Sequence, residues 1–292
     1  MMISNRDVAV YNEQGYILVE NVLDREQLDA AHRAIDHILT TARGRATHDE
    51  VFDFEPSHTP NHPRVRRIKK PHVVNTLFWE LVKSPRMLSI VTKLLGHNVR
   101  LHGSKLNIKA PRYGSPVEWH QDWAFYPHTN DDILAIGVML DDVLLENGPM
   151  LVMPGSHKGS TYNHHSEGRF CGAMDPTATP LDFKAAIPVT GKAGTCSFHH
   201  VRLVHGSAQN TSDKPRQLLL YECTAADAWP LVNWSSLEEF DSRMLCGEAT
   251  LTPRVVPAPI RMPYPAALNQ GSIYENQSAV ATRYFDVAPV TN

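Results

Sequence analysis

Apolar positions recur at helical spacing through the first hundred residues and then change to short extended runs. Residues 5–14 read as a short helix ended by Gly15, and Tyr16-Ile17-Leu18-Val19 reads as a strand. Asp24 is a good helix N-cap, and Gln27 three residues later completes a capping box. The helix that follows places Leu28, Ala31, Ala34, Ile35, Ile38 and Leu39 on one face and fades near Thr40-Thr41. Residues 43–63 are polar and rich in His, Asp and Pro, which predicts a long loop and a candidate lid. A second amphipathic helix is predicted over 74–96, broken at Ser84-Pro85 and ended by Gly96-His97-Asn98.

From Val99 the runs are β-type and bounded by Gly, Pro, Asn and Asp: 99–109, 134–143, 149–153, 187–189, 195–204 and 216–225. Even spacing of such runs predicts a sandwich or barrel. A helix is expected over about 235–246, followed by an irregular stretch containing Pro253, Pro257, Pro259, Pro263 and Pro265. No repeat and no linker divides the chain. Residues 1–292 therefore read as one domain, with a helical N-terminal part (about 5–96), a β core (about 99–225) and a C-terminal cover (about 226–292).

Composition narrows the function classes. The 292 residues are 42% apolar and 20% charged, with a net charge of -3, ordinary for a globular protein. That charge makes no electrostatic case for a nucleic-acid or membrane partner. No run approaches the roughly 18 apolar residues of a membrane span. Met1 to Val10 lacks the apolar core of a secretory leader, and Ala288 to Asn292 is not a recognisable address. The four cysteines, at 171, 196, 223 and 246, form no Cys-x-x-Cys pair and suggest reduced thiols, so the expected location is cytoplasmic. Nothing in the sequence sets the oligomeric state.

Sixteen histidines make histidine alone a poor guide, so spacing must choose among them. In Val117-Glu118-Trp119-His120-Gln121-Asp122-Trp123, His120 and Asp122 stand two apart, and on an extended segment they point to one side. His205 ends the apolar run 195–204 and precedes Gly206-Ser207; it lies 85 residues beyond His120, so only the fold can join them. Two histidines and a carboxylate on one face of an octahedron form the facial triad of non-haem iron(II) oxygenases, with room for a bidentate 2-oxo acid and O₂. Zinc more often takes a closed tetrahedron or one open position. The bland reading of His-x-Asp is a satisfied loop histidine beside a solvated aspartate. His199 and His200 are rival ligands from the same run, without the strand-end position. Arg216, eleven residues after His205, could grip the distal carboxylate of 2-oxoglutarate with its planar fork; alone it could equally be an arginine that follows a turn.

Three stretches resemble the phytanoyl-CoA dioxygenase family of iron(II)- and 2-oxoglutarate-dependent oxygenases. They are Trp119-His120-Gln121-Asp122; Glu146-Asn147-Gly148-Pro149 through Pro154-Gly155-Ser156-His157-Lys158-Gly159; and His205-Gly206-Ser207-Ala208-Gln209-Asn210 with Arg216. The resemblance runs from about residue 8 to 226. It implies a mainly β double-stranded β-helix, a jelly-roll barrel with flanking helices. It implies Fe(II), 2-oxoglutarate and O₂, with His120, Asp122 and His205 as metal ligands and catalytic centre. It implies co-substrate contacts from Arg216, Ser207, Lys105 and Lys69, the last within a basic run whose bland reading is a solvated edge. His157 is expected to be structural.

The activity implied is hydroxylation or desaturation of a C–H bond in a small organic substrate, with release of succinate and CO₂. The carboxylate of Asp122 fills the position that related halogenases leave open to a halide. Gly137 stands where some members carry an aromatic residue, which predicts a roomier pocket. Asn107-Ile108-Lys109-Ala110-Pro111 is similar to ectoine hydroxylases, but the setting of Gln121 and Trp123 differs. Trp119, Trp123, Phe125 and Tyr126 are candidate pocket walls or core. The competing class is a non-catalytic jelly-roll protein that binds a metal or ligand, which would not need a co-substrate clamp. A zinc hydrolase would need a general base, and no His-Glu-x-x-His motif is present.

Overall fold

The computed structural model describes residues 3–112, 114–269 and 271–285; the stretch Ala288 to Asn292, expected to carry no address, lies outside them. Helix α1 (Asn5–Gln14) is capped by Ser4 and ends at Gly15, whose left-handed φ of 81° suits glycine. Helix α2 (Arg25–Thr40) starts on the Asp24 and Gln27 capping box and buries Leu28, Ala31, Ile35 and Ile38. The helix predicted over 74–96 is instead three: α3 (Pro71–Val74), α4 (Thr76–Val82) and α5 (Pro85–Leu95). Ser84-Pro85 makes the expected break. Asn75 makes the other, because its side chain accepts from the Leu77 N–H and holds the backbone extended. Helices α6 (Leu237–Ser242) and α7 (Ile273–Asn276) lie in the C-terminal part, where the first is shorter than expected.

Fourteen strands are described. They are β1 (Tyr16–Val19), β2 (Phe52–Phe54), β3 (Val65–Lys69), β4 (Val99–Lys109), β5 (Val117–His120), β6 (Ile133–Met139) and β7 (Met150–Val152), then β8 (His165–Ser166), β9 (Arg169–Phe170), β10 (Ile187–Val189), β11 (Cys196–His200), β12 (His205–Ser207), β13 (Arg216–Ala225) and β14 (Met244–Cys246). The larger sheet runs β1-β11-β6-β13-β4-β3-β2, with β14 also on β4; the smaller runs β10-β7-β12-β5. Neighbours within both are antiparallel. The two sheets form the walls of a jelly roll.

Two differences from the sequence reading matter. The run 195–204 is not one strand: β11 stops at His200, the chain turns, and His205 opens β12 in the opposite sheet. Residues 43–63 are not all loop, because Phe52–Phe54 pairs with β3 through buried Phe52 and Phe54.

Period-two alternation gives the larger sheet two unlike faces. Ile68, Leu106, Ile136, Val138, Phe198, Leu219 and Tyr221 point outward and pack with α2, α4 and α5 into the main core. The inward face carries Lys105, Asn107, Lys109, Arg216 and His199. The smaller sheet turns Trp119, Met153 and Val204 outward into a second cluster with Phe183 and Phe285. Leu219 is fully buried on β13 between its two partner strands. Leu219→Ala should lower unfolding stability by about 2–5 kcal/mol, read as a shift of the urea midpoint at constant slope.

Candidate metal centre and its cavity

Strands β5 and β12 pair with His205 directly opposite His120. Directly opposed residues share a face, and the imidazole centroids are 4.1 Å apart. After Gln121 the chain enters a 3-10 turn at Asp122–Ala124. Asp122 is thus carried by a turn rather than by an extended segment, and its Oδ1 still comes within 3.7 Å of His120 Nε2. One ligand atom from each of His120, Asp122 and His205 lies within 4.8 Å of the other two. All three side chains are buried.

The ring tautomers are set by the backbone. His120 Nδ1 lies 2.8 Å from the Glu118 carbonyl, and His205 Nδ1 lies 2.9 Å from the Leu203 carbonyl. A carbonyl only accepts, so each Nδ1 carries the proton and each Nε2 offers a lone pair. Burial tends to raise the Asp122 carboxyl, but Lys105 and His120 outweigh it and hold it well below the usual carboxylate range. Burial, reinforced by His120, pushes the His205 imidazole well below its usual value. Both groups therefore stand in the protonation state a metal requires. Two imidazole nitrogens and one carboxylate oxygen fit iron(II) with coordination positions left over.

The three residues stand in the wall of a cavity lined by both sheets. On its far wall, Arg216 of β13 pairs in register with Lys109 of β4. The Arg216 guanidinium donates to the Gly148 carbonyl, and its buried Nε has no partner. Burial lowers its pKa to about 10. Lys109 Nζ donates to Ser207 Oγ at 2.9 Å and to the carbonyls of Ser207 and Ala208. Burial and the neighbouring Arg216 push it well below 10.5. These contacts are all to neutral oxygens, so two buried cations adjoin with no carboxylate paired to either among the described residues. A dianion with a distal carboxylate would supply what is missing.

The cavity brings together His120, Asp122, His205, Ser207, Arg216 and Lys105. Lys105 also pairs with Glu222 at 2.9 Å. Lys69 sits opposite Lys105 in register but does not line the cavity. Its ammonium is 2.8 Å from buried Asp53, which needs a counter-charge. Lys109 was missed by sequence reasoning, although the signal exists: Lys105, Asn107 and Lys109 alternate with Leu106 and Ile108, so all three share the face opposite the core. Tyr274 of α7 also lines the cavity, from a segment with no readable motif.

Of the four aromatic candidates, Trp119 and Trp123 are fully buried core residues. Phe125 and Tyr126 line a second hollow of about 750 Å³, and Phe125 meets His120 edge-on at 5.9 Å. Gly137 gives no extra room, since a Cβ there would meet Ser197 Oγ at 2.6 Å. His157 has the structural role expected, with Nε2 3.1 Å from the Asn12 carbonyl.

The model of the family "Phytanoyl-CoA dioxygenase (PhyH)" matches residues 11–218. A protein from Stutzerimonas stutzeri named a probable alpha-ketoglutarate-dependent hypophosphite dioxygenase is 38% identical over 286 residues, covering 94% of this chain and 97% of its own. An ectoine dioxygenase from Bordetella bronchiseptica is 29% identical, covering 73% of each chain. Among solved structures, EctD from S. alaskensis with bound Fe superposes with a TM-score of 0.65 at 26% identity, over 77% of each chain. The chain belongs to the phytanoyl-CoA dioxygenase family of iron(II)- and 2-oxoglutarate-dependent oxygenases.

The buried Lys109 and Arg216 pair has a measurable cost. Lys109→Met should stabilise the co-substrate-free protein, by about 1–4 kcal/mol if it follows other replaced buried charges, and should shrink the thermal shift produced by 2-oxoglutarate. The folded pKa of Lys109 lies below its ordinary 10.5, so the folded form loses its proton first and stability rises with pH through that window. Thermal melts across alkaline pH should show that rise in the wild type and a flatter curve in Lys109→Met.

Proposed function

We propose that His120, Asp122 and His205 hold iron(II), and that Arg216, Lys109 and Ser207 bind the distal carboxylate of 2-oxoglutarate in the same cavity. The reaction inserts one oxygen atom of O₂ into a small substrate as a hydroxyl group; the other enters succinate as 2-oxoglutarate loses CO₂. The observation that carries this reading is the placement of a two-histidine, one-carboxylate set across one cavity from a cation pair without a carboxylate. A binding protein with a purely structural metal has no use for that second feature.

When bound, the iron supplies the dioxygen chemistry, with 2-oxoglutarate as its source of electrons. The chain's own residues do the rest. The backbone carbonyls of Glu118 and Leu203 hold each imidazole in one tautomer. Lys105 favours the ionised form of Asp122 and is placed for a further co-substrate contact near the metal end. Lys69 stands behind it and acts, in this reading, only through Asp53. Sheet walls and the C-terminal cover exclude water from the reacting centre.

Residues 1–292 are proposed to act as one domain, because Arg67 from the N-terminal part and Tyr274 from the C-terminal cover line the same cavity as the β core. No described helix is long and apolar enough to cross a membrane. The four cysteines are free thiols, which suits the cytoplasm as the proposed location. Hypophosphite, the substrate in the name of the S. stutzeri relative, is the first candidate in a panel with ectoine and proline.

Anaerobic addition of iron(II) and 2-oxoglutarate should produce the weak visible charge-transfer band of the chelate. His120→Ala or Asp122→Ala should abolish it; an unchanged band in both would reject the ligand set. Arg216→Ala should raise the half-saturating 2-oxoglutarate concentration by the equivalent of about 2–5 kcal/mol with iron affinity nearly intact. Because Asp122 fills the position a halide would need, product mass spectra in chloride or bromide buffer should show hydroxylation and no halogen. A halogenated product would overturn the assignment of Asp122.

A further inference from the structure

His199 is the buried cavity group that neither the metal set nor the co-substrate end employs. It is 1% exposed and lines the same cavity. Neither ring nitrogen has a hydrogen-bond partner among the described residues. Its Nε2 lies 3.9 Å from Asp122 Oδ2, too far for a hydrogen bond, and its ring centroid is 4.9 Å from that of His205. The register explains the vacant surroundings. His199 faces Tyr16 of β1 on one side and Ala135 of β6 on the other, and Ala135 in turn faces Glu222 on β13, so toward the middle of the sheet the neighbouring position carries only a methyl group. A histidine kept for packing would satisfy its N–H against a carbonyl, as His157 and His164 do.

Charge narrows what His199 meets. Arg67, Lys105, Lys109 and Arg216 line the cavity against the one carboxylate of Asp122. Behind the wall, Glu222 pairs with Lys105, while Asp53 pairs with Lys69 and stands 4.0 Å from Arg67. Glu55 and Asp141 act on Lys109 and Arg216 from farther back. The groups that face the cavity itself are predominantly cationic, and iron(II) with a 2-oxoglutarate dianion brings them no net charge. Arg67 also keeps a buried Nη2 without a partner. The co-substrate and the substrate must share this one cavity between the sheets, which favours a compact molecule.

We propose that the primary substrate is a compact oxyanion, and that His199 holds it beside Asp122 by donating an imidazole hydrogen bond to one of its oxygens. This rests on the iron and 2-oxoglutarate reading given above. It makes His199 a specificity-determining residue and removes it from the ligand candidates.

The test uses the full-length protein, anaerobic and loaded with iron(II) and 2-oxoglutarate, so that binding is read without turnover. Sodium hypophosphite, phosphite and formate are titrated while the charge-transfer band is followed, with ectoine and L-proline as zwitterionic comparisons. At least one of the three anions should shift the wild-type band saturably, at lower concentration than either zwitterion. His199→Phe, which keeps the ring volume, should raise that half-saturation at least about tenfold. The band itself and the half-saturating 2-oxoglutarate concentration should stay within about twofold. His199→Gln, which retains an N–H donor, should recover part of the loss.

Loss of the band in both variants would mean that His199 serves the metal and would overturn the proposal. An unchanged anion response in both would overturn it too. A saturable response only to ectoine or proline, or to none of the five compounds, would reject the oxyanion class. Absence of the band in the wild type appears before any anion is added, and it would reject the underlying iron reading together with this one.

Discussion

The pairing of His205 with His120 across β5 and β12 is the constraint on which the rest of the site depends. Side chains alternate along a strand, so a slip of one residue would carry either imidazole to the opposite face. The register is held from outside. Trp119, immediately before His120, and Val204, immediately before His205, are both fully buried in the cluster that Phe183 and Phe285 complete. Burial of an indole is a large apolar contribution, and turning Trp119 outward leaves His120 only the inward side. The positions of the two cavity-facing imidazole nitrogens are thus inherited from hydrophobic alternation. The carbonyls of Glu118 and Leu203 then fix the rotation of each ring.

The opposite wall uses alternation for a different purpose. On β4 the apolar residues Leu106 and Ile108 join the helices in the main core, which obliges Lys105, Asn107 and Lys109 to face inward. Lys109 and Arg216 adjoin as like charges, largely desolvated and with no carboxylate paired to either among the described residues. Such an arrangement opposes folding of the free protein and favours the arrival of an anion, since a bound carboxylate would offset a cost already incurred.

Much of this was legible in the sequence where local physics decides. The Asp24 capping box, the Gly15 stop, the break at Ser84-Pro85 and most β runs from 99 to 225 were all found where expected. His120, Asp122, His205, Ser207, Lys105 and Arg216 were picked from motif and family resemblance, and the fold gathers them around one cavity. The failures share a cause: a choice made by distant partners. The apolar run 195–204 gives no sign that the chain changes sheets after His200. Phe52–Phe54 becomes a strand only because β3 is beside it. Lys69 belongs to a basic run, and the buried carboxylate of Asp53 sixteen residues earlier draws it away from the cavity. Lys109 was within reach of the alternation pattern, but a lysine quoted in a motif is easily taken for a solvated one.

Relatives named for hypophosphite, ectoine and L-proline belong to the same set of matches, so substrate choice must reside in positions that the metal and co-substrate leave free. Beside His199, the inward face of the larger sheet carries small residues. Ala135 lies between His199 and Glu222, Gly103 lies beyond Glu222, and Gly137 lies between Ser197 and Leu220. The small residues do not open a broad apolar pocket, because polar neighbours close over them: Ser197 Oγ over Gly137 and Glu222 Oε2, 3.0 Å from an added Cβ, over Gly103. An aromatic side chain at Gly137 would displace Ser197 without touching His120, Asp122 or His205. The family can therefore keep one reaction centre while its members diverge in what they oxidise.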